Sequence, residues 1–138
     1  MSYKILEGKK GIVFGALDNN SIAWKTAEAI NESGGKIVLT NAPIAIRMGK
    51  INELSKKLDC PIVPADATSV SDLQNLIDKS VKHFNGKIDF VLHSIGMSVN
   101  VRKGKKYTDL NYDWLKKGWD ISAVSFHCLL YTSDAADE

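Results

Sequence analysis

Cysteine, proline and long apolar runs are all scarce in this sequence of 138 residues. The two cysteines, Cys60 and Cys128, lie far apart, without the spacing of a metal site or a disulfide framework. No apolar run approaches the length of a membrane-spanning helix, and the first residues lack the apolar core of a secretory signal. We therefore expect a cytoplasmic protein with reduced thiols, no bound metal and no membrane contact.

Charge of one sign is also nearly absent. The chain has 18 Lys and Arg against 16 Asp and Glu, a net charge of +2. The lysines are scattered rather than clustered with aromatic residues, so nucleic-acid binding is not indicated. An apolar fraction of 44% and a charged fraction of 25% are typical of globular proteins. The length suits one domain with a proper core.

A strand–turn–helix unit near the N-terminus organises the chain. Residues 12–14 form a short apolar run, Gly15 stands at the turn, and Ser21 precedes a helical pattern. The apolar face of that helix carries Ala23, Ala27 and Ile30. The free N–H groups of such a helix start favour a phosphate. Two interpretations stay open from this stretch, a dinucleotide pyrophosphate site or an ordinary connection that binds nothing.

Three further strands and their helices follow. Strand patterns at residues 36–40, 61–64 and 88–93 alternate with helical patterns, which is typical of a parallel sheet with helices on both faces. We predict an α/β fold, a three-layer Rossmann-type doubly wound parallel sheet truncated after about four βα units, with strand order 3-2-1-4. In that order the turns after strands 1 and 4 face one crevice. The turn at Asp66 lies at the same edge of the sheet.

Three short segments carry a resemblance to a known family. Residues 15–24, Asp66 after the third strand and residues 93–96 after the fourth resemble the bacterial enoyl-[acyl-carrier-protein] reductases, divergent members of the short-chain dehydrogenase/reductase superfamily. The resemblance covers residues 1–127. It implies an oxidoreductase that reduces the trans-2 double bond of an acyl chain on acyl carrier protein with NADH, in fatty-acid elongation. It also implies that the full-length protein is a homotetramer.

The resemblance implies roles for residues in these turns. The implied cofactor-binding residues are Gly15, Ser21, Ile22, Asp66, Ala67, Ser94, Ile95 and Gly96. Met97 and Ser98 would begin the wall of the acyl-substrate site. Simpler roles also stay open, because Ser21 is a natural helix cap, Asp66 a natural turn residue and Met97 a natural core residue.

The choice of cofactor is only partly readable from the residues. The place after strand 2 that often carries an acid for the ribose of NAD holds Thr40, Asn41 and Ala42 instead. Arg47 lies a few residues further on, where it would suit the 2′-phosphate of NADPH or simply be solvated. NADH is therefore favoured by resemblance, and NADPH is the less favoured alternative.

No catalytic residue is assigned within the chain. The resemblance implies a catalytic Tyr and Lys on a helix after a fifth strand, beyond residue 127, so we expect the fragment itself to be inactive. Tyr112 and Lys116 match the Tyr-x3-Lys spacing of the wider superfamily, but one βα unit too early. A basic loop with Lys103 and Lys106 would suit an acidic carrier protein or be a solvated charge run. His93 is given no chemistry.

The last residues break the pattern of the chain before them. Residues 128–138 resemble the translation of a transposase adapter used in sequencing libraries. We therefore expect a partial NAD(P)-binding Rossmann domain over residues 1–127 and a tail of non-native origin over residues 128–138. The alternatives to an enoyl reductase are another short-chain reductase such as a ketoacyl reductase, a non-catalytic dinucleotide-binding regulator, and a flavodoxin-like domain.

Overall fold

A parallel β-sheet lies at the centre of the computed structural model, which describes residues 3–134. In chain order the elements are β1 Lys10–Phe14, α1 Ile22–Glu32, β2 Lys36–Thr40, α2 Pro43–Met48, α3 Ile51–Leu58, α4 Val70–Phe84, β3 Phe90–His93, α5 Val99–Arg102, a 3-10 turn Tyr107–Asp109, α6 Tyr112–Trp119, a π-helical turn Asp120–Val124 and α7 Ser125–Asp134. The strands are ordered β2-β1-β3, and both pairings are parallel. This confirms the α/β fold class.

The segment predicted as a third strand is reduced to one bridge. Leu39 of β2 pairs in parallel with Ile62, on the side of β2 away from β1. Pro61 and Pro64 flank this bridge, and a ladder cannot extend through them because proline has no N–H to donate. The predicted order 3-2-1-4 is therefore confirmed in space, with strand 4 being β3, but residues 61–64 are not a strand.

Two apolar layers cover the two faces of the sheet. Successive residues of β1 point to opposite faces, as the pleat requires. Ile12 and Phe14 pack with α4 and with Leu129 of α7, whereas Val13 packs with α1 and α3. All three β1 side chains are at most 1% exposed. The central strand is thus buried on both faces, so its carboxyl end opens into a crevice between the layers.

The chain after β3 forms an almost continuous helix from α6 through the π-helical turn to α7. Leu129 of α7 is 1% exposed, whereas Trp119 is 67% exposed and Tyr131 is 69% exposed. Residues 128–134 of the predicted tail belong to α7, and residues 135–138 of that tail lie outside the described residues. Within residues 3–134, no helix has the length and apolar character needed to cross a membrane.

Candidate functional site

Gly15 ends β1 with a backbone φ of +117°, a conformation that side-chain-bearing residues rarely adopt. Its N–H donates to the Thr40 carbonyl at 3.1 Å. A Cβ at this position would collide with the backbone carbonyl oxygen of Ser94 in the turn after β3. The missing side chain therefore lets two turns at the carboxyl edge approach each other. That is a structural reason for glycine here, in addition to the expected contact with a cofactor.

The start of α1 is left open by its own side chains. Ser21 is the N-cap residue, but its hydroxyl does not cap the helix. The Ser21 Oγ instead donates to the Asp18 carbonyl at 2.7 Å and accepts from the Leu17 N–H at 3.2 Å. The first turn of α1 contains no acidic residue, and Ile22 at its start is 75% exposed. The first amides of α1 therefore face an accessible space where an anion would be stabilised.

Asn41 is a buried polar residue that sequence reasoning passed over. Its side-chain Nδ2 donates to the Ala16 carbonyl at 2.9 Å, and its backbone carbonyl accepts from the Ala65 N–H at 3.1 Å. One residue thereby joins the turns after β1, β2 and the bridge segment. A polar residue after a buried strand was the available signal, but only the fold reveals its partners.

Asp66 lies in the turn that precedes α4, and its carboxylate organises that turn. Its Oδ1 accepts from the Thr68 hydroxyl at 2.7 Å and from the Thr68 N–H at 2.8 Å. These bonds lower the pKa of Asp66 below its usual 3.8. Its Oδ2 has no hydrogen bond to any other described residue, so it stays available to a ligand. Ala67 is 8% exposed and packs in the core, which leaves its main chain as the group that a ligand could contact.

The predicted capping box at α4 is only half formed. The Ser69 Oγ accepts from the Asp72 N–H at 3.3 Å, as a cap should. The Asp72 carboxylate does not return to the cap residue, because its Oδ2 accepts from the Asp66 N–H at 2.9 Å. Asp72 thus orients the Asp66 turn toward the sheet edge.

The turn after β3 holds the remaining predicted residues. Ser94 continues the sheet through its N–H, which donates to the Phe14 carbonyl at 2.9 Å. Ile95 packs partly against the core, and Gly96 is exposed. The Met97 N–H donates to Ser122 Oγ at 2.9 Å, and this hydroxyl also lies 3.3 Å from the Met97 carbonyl. Ser122 of the π-helical turn is a second residue that sequence reasoning missed.

A pocket of about 250 Å³ opens beside this turn. Met97 and Ser98 form one side of it, in agreement with their place as the start of a substrate wall, and the α6 side is largely apolar. The remaining lining residues are Trp114, Leu115, Gly118, Trp119, Ser122 and Ala123. Ser98 also caps α5 by accepting from the Val101 N–H at 3.3 Å.

His93 at the end of β3 has structural partners. Its Nε2 lies 2.8 Å from Ser125 Oγ, and the Ser125 hydroxyl donates to the Ile121 carbonyl at 2.6 Å. Since a hydroxyl has one proton to give, we assign the proton of this contact to Nε2. The ring also meets Phe126 edge-on, with the centroids 5.3 Å apart. Burial of the ring lowers the pKa of His93 below its ordinary 6.5.

The Tyr112–Lys116 spacing does not form a catalytic arrangement here. The Lys116 Nζ lies 5.0 Å from the centroid of the Tyr112 ring and 3.3 Å from an Asp113 carboxylate oxygen. Tyr112 is 70% exposed. This lysine therefore interacts with the face of the aromatic ring and with a neighbouring acid on α6.

A dinucleotide fits the groups that meet at this edge of the sheet. The Thr40 hydroxyl at the end of β2 is fully buried and has no hydrogen-bond partner among the described residues. A buried polar group without a partner is costly, and a ligand hydroxyl would satisfy it. Burial also raises the pKa of the Cys60 thiol to about 11, with the Asp59 carboxylate adding to the shift. No group of three or more His, Cys, Asp or Glu residues suited to a metal occurs in the described ranges.

Comparisons with known proteins agree on one family. The profile of the family described as Enoyl-(Acyl carrier protein) reductase matches residues 15–135. Enoyl-[acyl-carrier-protein] reductase [NADH] 1 of Rhizobium meliloti is 31% identical over 132 residues, which is 94% of this chain and 47% of that protein. The enoyl-[acyl-carrier-protein] reductase [NADH] of Mycolicibacterium smegmatis is 31% identical and is covered to 47%.

Solved structures agree with these relatives. The FabI–NADH complex from Alistipes finegoldii is 58% identical, with a TM-score of 0.95 over 98% of this chain and 48% of that chain. FabI from Candidatus Liberibacter asiaticus, at 23% identity and a TM-score of 0.84, shows the fold alone. The chain spans about half the length of the curated relatives it matches. The family match and the shared fold together establish that this chain belongs to the enoyl-(acyl carrier protein) reductase family.

Proposed function

We propose that this chain is the cofactor-binding part of an NADH-dependent enoyl-[acyl-carrier-protein] reductase. The reaction of the whole protein would be reduction of the trans-2 double bond of an acyl chain carried on acyl carrier protein, in fatty-acid elongation. The observation that carries the proposal is the open start of α1 at the edge where the turns after β1, β2 and β3 meet. The 58% identity to a FabI solved with NADH supports the same cofactor.

The residues of this edge divide the proposed cofactor among them. The amides at Ser21 and Ile22 hold the pyrophosphate at the positive end of α1. Asp66, through its free Oδ2, and the main chain of Ala67 serve the adenine. When bound, NADH supplies the hydride for the reduction. Arg47 is exposed at the end of α2, and NADPH remains the alternative that it would serve.

The turn after β3 would face the reacting end of the cofactor. Gly15 and Ser94 keep the two turns in contact, while Ile95 and Gly96 border the nicotinamide ribose. Met97 begins the acyl-substrate wall, together with Ser98, at the pocket beside α6.

The rest of the proposal concerns the complete protein. We expect the catalytic Tyr and Lys in the half of the relatives that this chain does not match, so the fragment alone should be inactive. A cytoplasmic homotetramer is proposed, and the exposed Trp119 and Tyr131 on α6 and α7 suit a subunit contact. Residues 128–138 are proposed to be of adapter origin, which resequencing the genomic DNA across codon 128 would test.

A charge placed at the start of α1 tests the cofactor site. Ile22→Asp should preserve stability, because an acid in the first turn complements the helix dipole, yet it should repel the pyrophosphate and weaken NADH binding at least about tenfold. Fluorescence titration of the purified chain with NADH measures the affinity. The matched control is Val70→Asp, which puts the same charge on an exposed position at the start of α4.

Two results would oppose the proposed cofactor site. The unaltered chain might show no saturable NADH binding, or Ile22→Asp might bind NADH as tightly as Val70→Asp does. Equal or tighter binding of NADPH would instead favour the Arg47 alternative.

A further inference from the structure

Positive charge is concentrated in one segment of the chain. Residues 102–117 contain six basic and two acidic side chains, a surplus of four positive charges, whereas the remaining sequence has fourteen acidic and twelve basic side chains. All six basic residues of this segment are exposed: Arg102, Lys103, Lys105, Lys106, Lys116 and Lys117. We call residues 102–106 together with Lys117 the basic rim. A surplus of this kind on a neutral chain creates a local positive field.

Most of these charges have no partner on their own chain. Lys105 pairs with Asp109 at 3.4 Å, and Lys116 pairs with Asp113 at 3.3 Å. Arg102, Lys103, Lys106 and Lys117 form no ion pair within the part of the chain that the structure describes. Their charges are therefore free to attract an acidic surface.

A buried amide holds the base of this segment in place. Asn100 is 3% exposed, its Nδ2 donates to the Asn111 carbonyl at 3.1 Å, and its Oδ1 accepts from the Asn111 N–H at 2.9 Å. Asn111 in turn caps α6 by accepting from the Trp114 N–H at 3.0 Å. The loop between Asn100 and Asn111 is thus clamped at both ends, which limits the entropy lost when a partner binds.

The basic rim adjoins the pocket of about 250 Å³. Ser98, just before α5, and Trp114 and Gly118 of α6 line that pocket, and Lys117 lies between the last two. A partner attracted to the rim is therefore placed beside an opening with a largely apolar wall, which suits a partner that presents an apolar chain.

We propose that the basic rim docks the acidic face of an acyl carrier protein and so presents its acyl chain to this pocket. The proposal rests on the proposed function and names the surface by which the substrate would be delivered. Nucleic acid would also be attracted by positive charge, but it has no use for an apolar pocket at the rim.

Charge reversal in the loop tests the docking. Lys103→Glu/Lys106→Glu should weaken binding of fluorescently labelled holo acyl carrier protein about tenfold or more, and wild-type binding should weaken steeply with added salt. The matched control is Lys79→Glu/Lys87→Glu, with the same charge change at exposed residues outside the rim, and it should bind almost as the wild type does. Fluorescence anisotropy gives the affinities, and circular dichroism confirms that each variant is folded.

Three results would overturn the docking surface: no binding of the carrier by the wild-type chain, equal loss in both double variants, or equally tight binding of a single-stranded oligonucleotide. NADH titration of the same samples separates this test from that of the cofactor. A chain that binds NADH but not the carrier refutes only the rim. A chain that binds the carrier through the rim but not NADH supports the rim and counts against the cofactor.

Discussion

Replacing Gly15 with alanine should destabilise the fold much more than the same change at Gly8. Both glycines have a positive φ, +117° at Gly15 and +77° at Gly8. A Cβ at Gly8 meets nothing within 4 Å, whereas a Cβ at Gly15 collides with the Ser94 carbonyl oxygen. The pair therefore separates backbone strain, present at both positions, from the collision, present at one.

The two contributions have different sizes. Positive φ costs a residue with a side chain about 1–2 kcal/mol, and this is the whole expected effect of Gly8→Ala. The collision at Gly15 is with a backbone group that cannot rotate away, because the Ser94 N–H is bound to the Phe14 carbonyl at 2.9 Å. Relieving it requires the two turns to separate, which adds about 1–3 kcal/mol. Gly15→Ala should therefore cost about 2–5 kcal/mol in total.

Chemical denaturation followed by tryptophan fluorescence measures both losses, since Trp24 is 5% exposed and reports on the core beside α1. Equal free energies of unfolding for Gly15→Ala and Gly8→Ala would refute the reasoning. They would mean that the turns after β1 and β3 are not in contact in solution, and the shared edge of the proposed cofactor site would lose its basis.

Three further substitutions test single interactions. Asn41→Ala should lower the free energy of unfolding by about 1–3 kcal/mol in urea denaturation, because the buried Ala16 carbonyl loses its donor. Thr40→Val should leave the free chain equally stable or up to about 1 kcal/mol more stable, because the buried hydroxyl has no partner, while NADH affinity should fall. His93→Gln retains a donor toward Ser125 but cannot titrate, so it should flatten the pH dependence of stability below pH 6.5.

The sign of the histidine effect follows from the lowered pKa. The unfolded chain takes up a proton near pH 6.5, the ordinary pKa of the ring, whereas the folded chain resists until a lower pH. Stability contributed by His93 is therefore present above pH 6.5 and is lost as the pH falls through the folded pKa. His83 and His127 are common to both proteins, so the difference between their pH profiles isolates His93. Identical profiles would contradict this assignment.

Controls for the other two substitutions come from exposed positions of the same residue type. Asn52→Ala on α3 should change stability by less than about 0.5 kcal/mol, and a loss as large as that of Asn41→Ala would deny the buried amide its role. Thr108→Val should change neither stability nor NADH affinity. If Thr40→Val bound NADH unchanged, its hydroxyl would have no part in the cofactor site.

The sheet and its layers were predictable because they depend on local patterns. The apolar run of β1 and the periodic stripes of α1 and α4 are properties of neighbouring residues. The bridge at Ile62 shows the limit of such patterns, because two prolines left an apolar segment without the donors of a full strand. At Asp66 the pattern left a turn role and a ligand role open, and the structure supplies the turn bonds to Thr68 while leaving one oxygen available.

By itself, the sequence determined the fold class, the order of the units and, through the motifs after β1 and β3, the family. Only the tertiary structure decided which distant groups meet: Gly15 with Ser94, Asn41 with Ala16, and Ser122 with Met97. The physical reason is that a hydrogen bond or a steric contact between residues far apart in the chain leaves no periodic trace. Such partners become visible only when parallel strands bring their carboxyl ends to one edge.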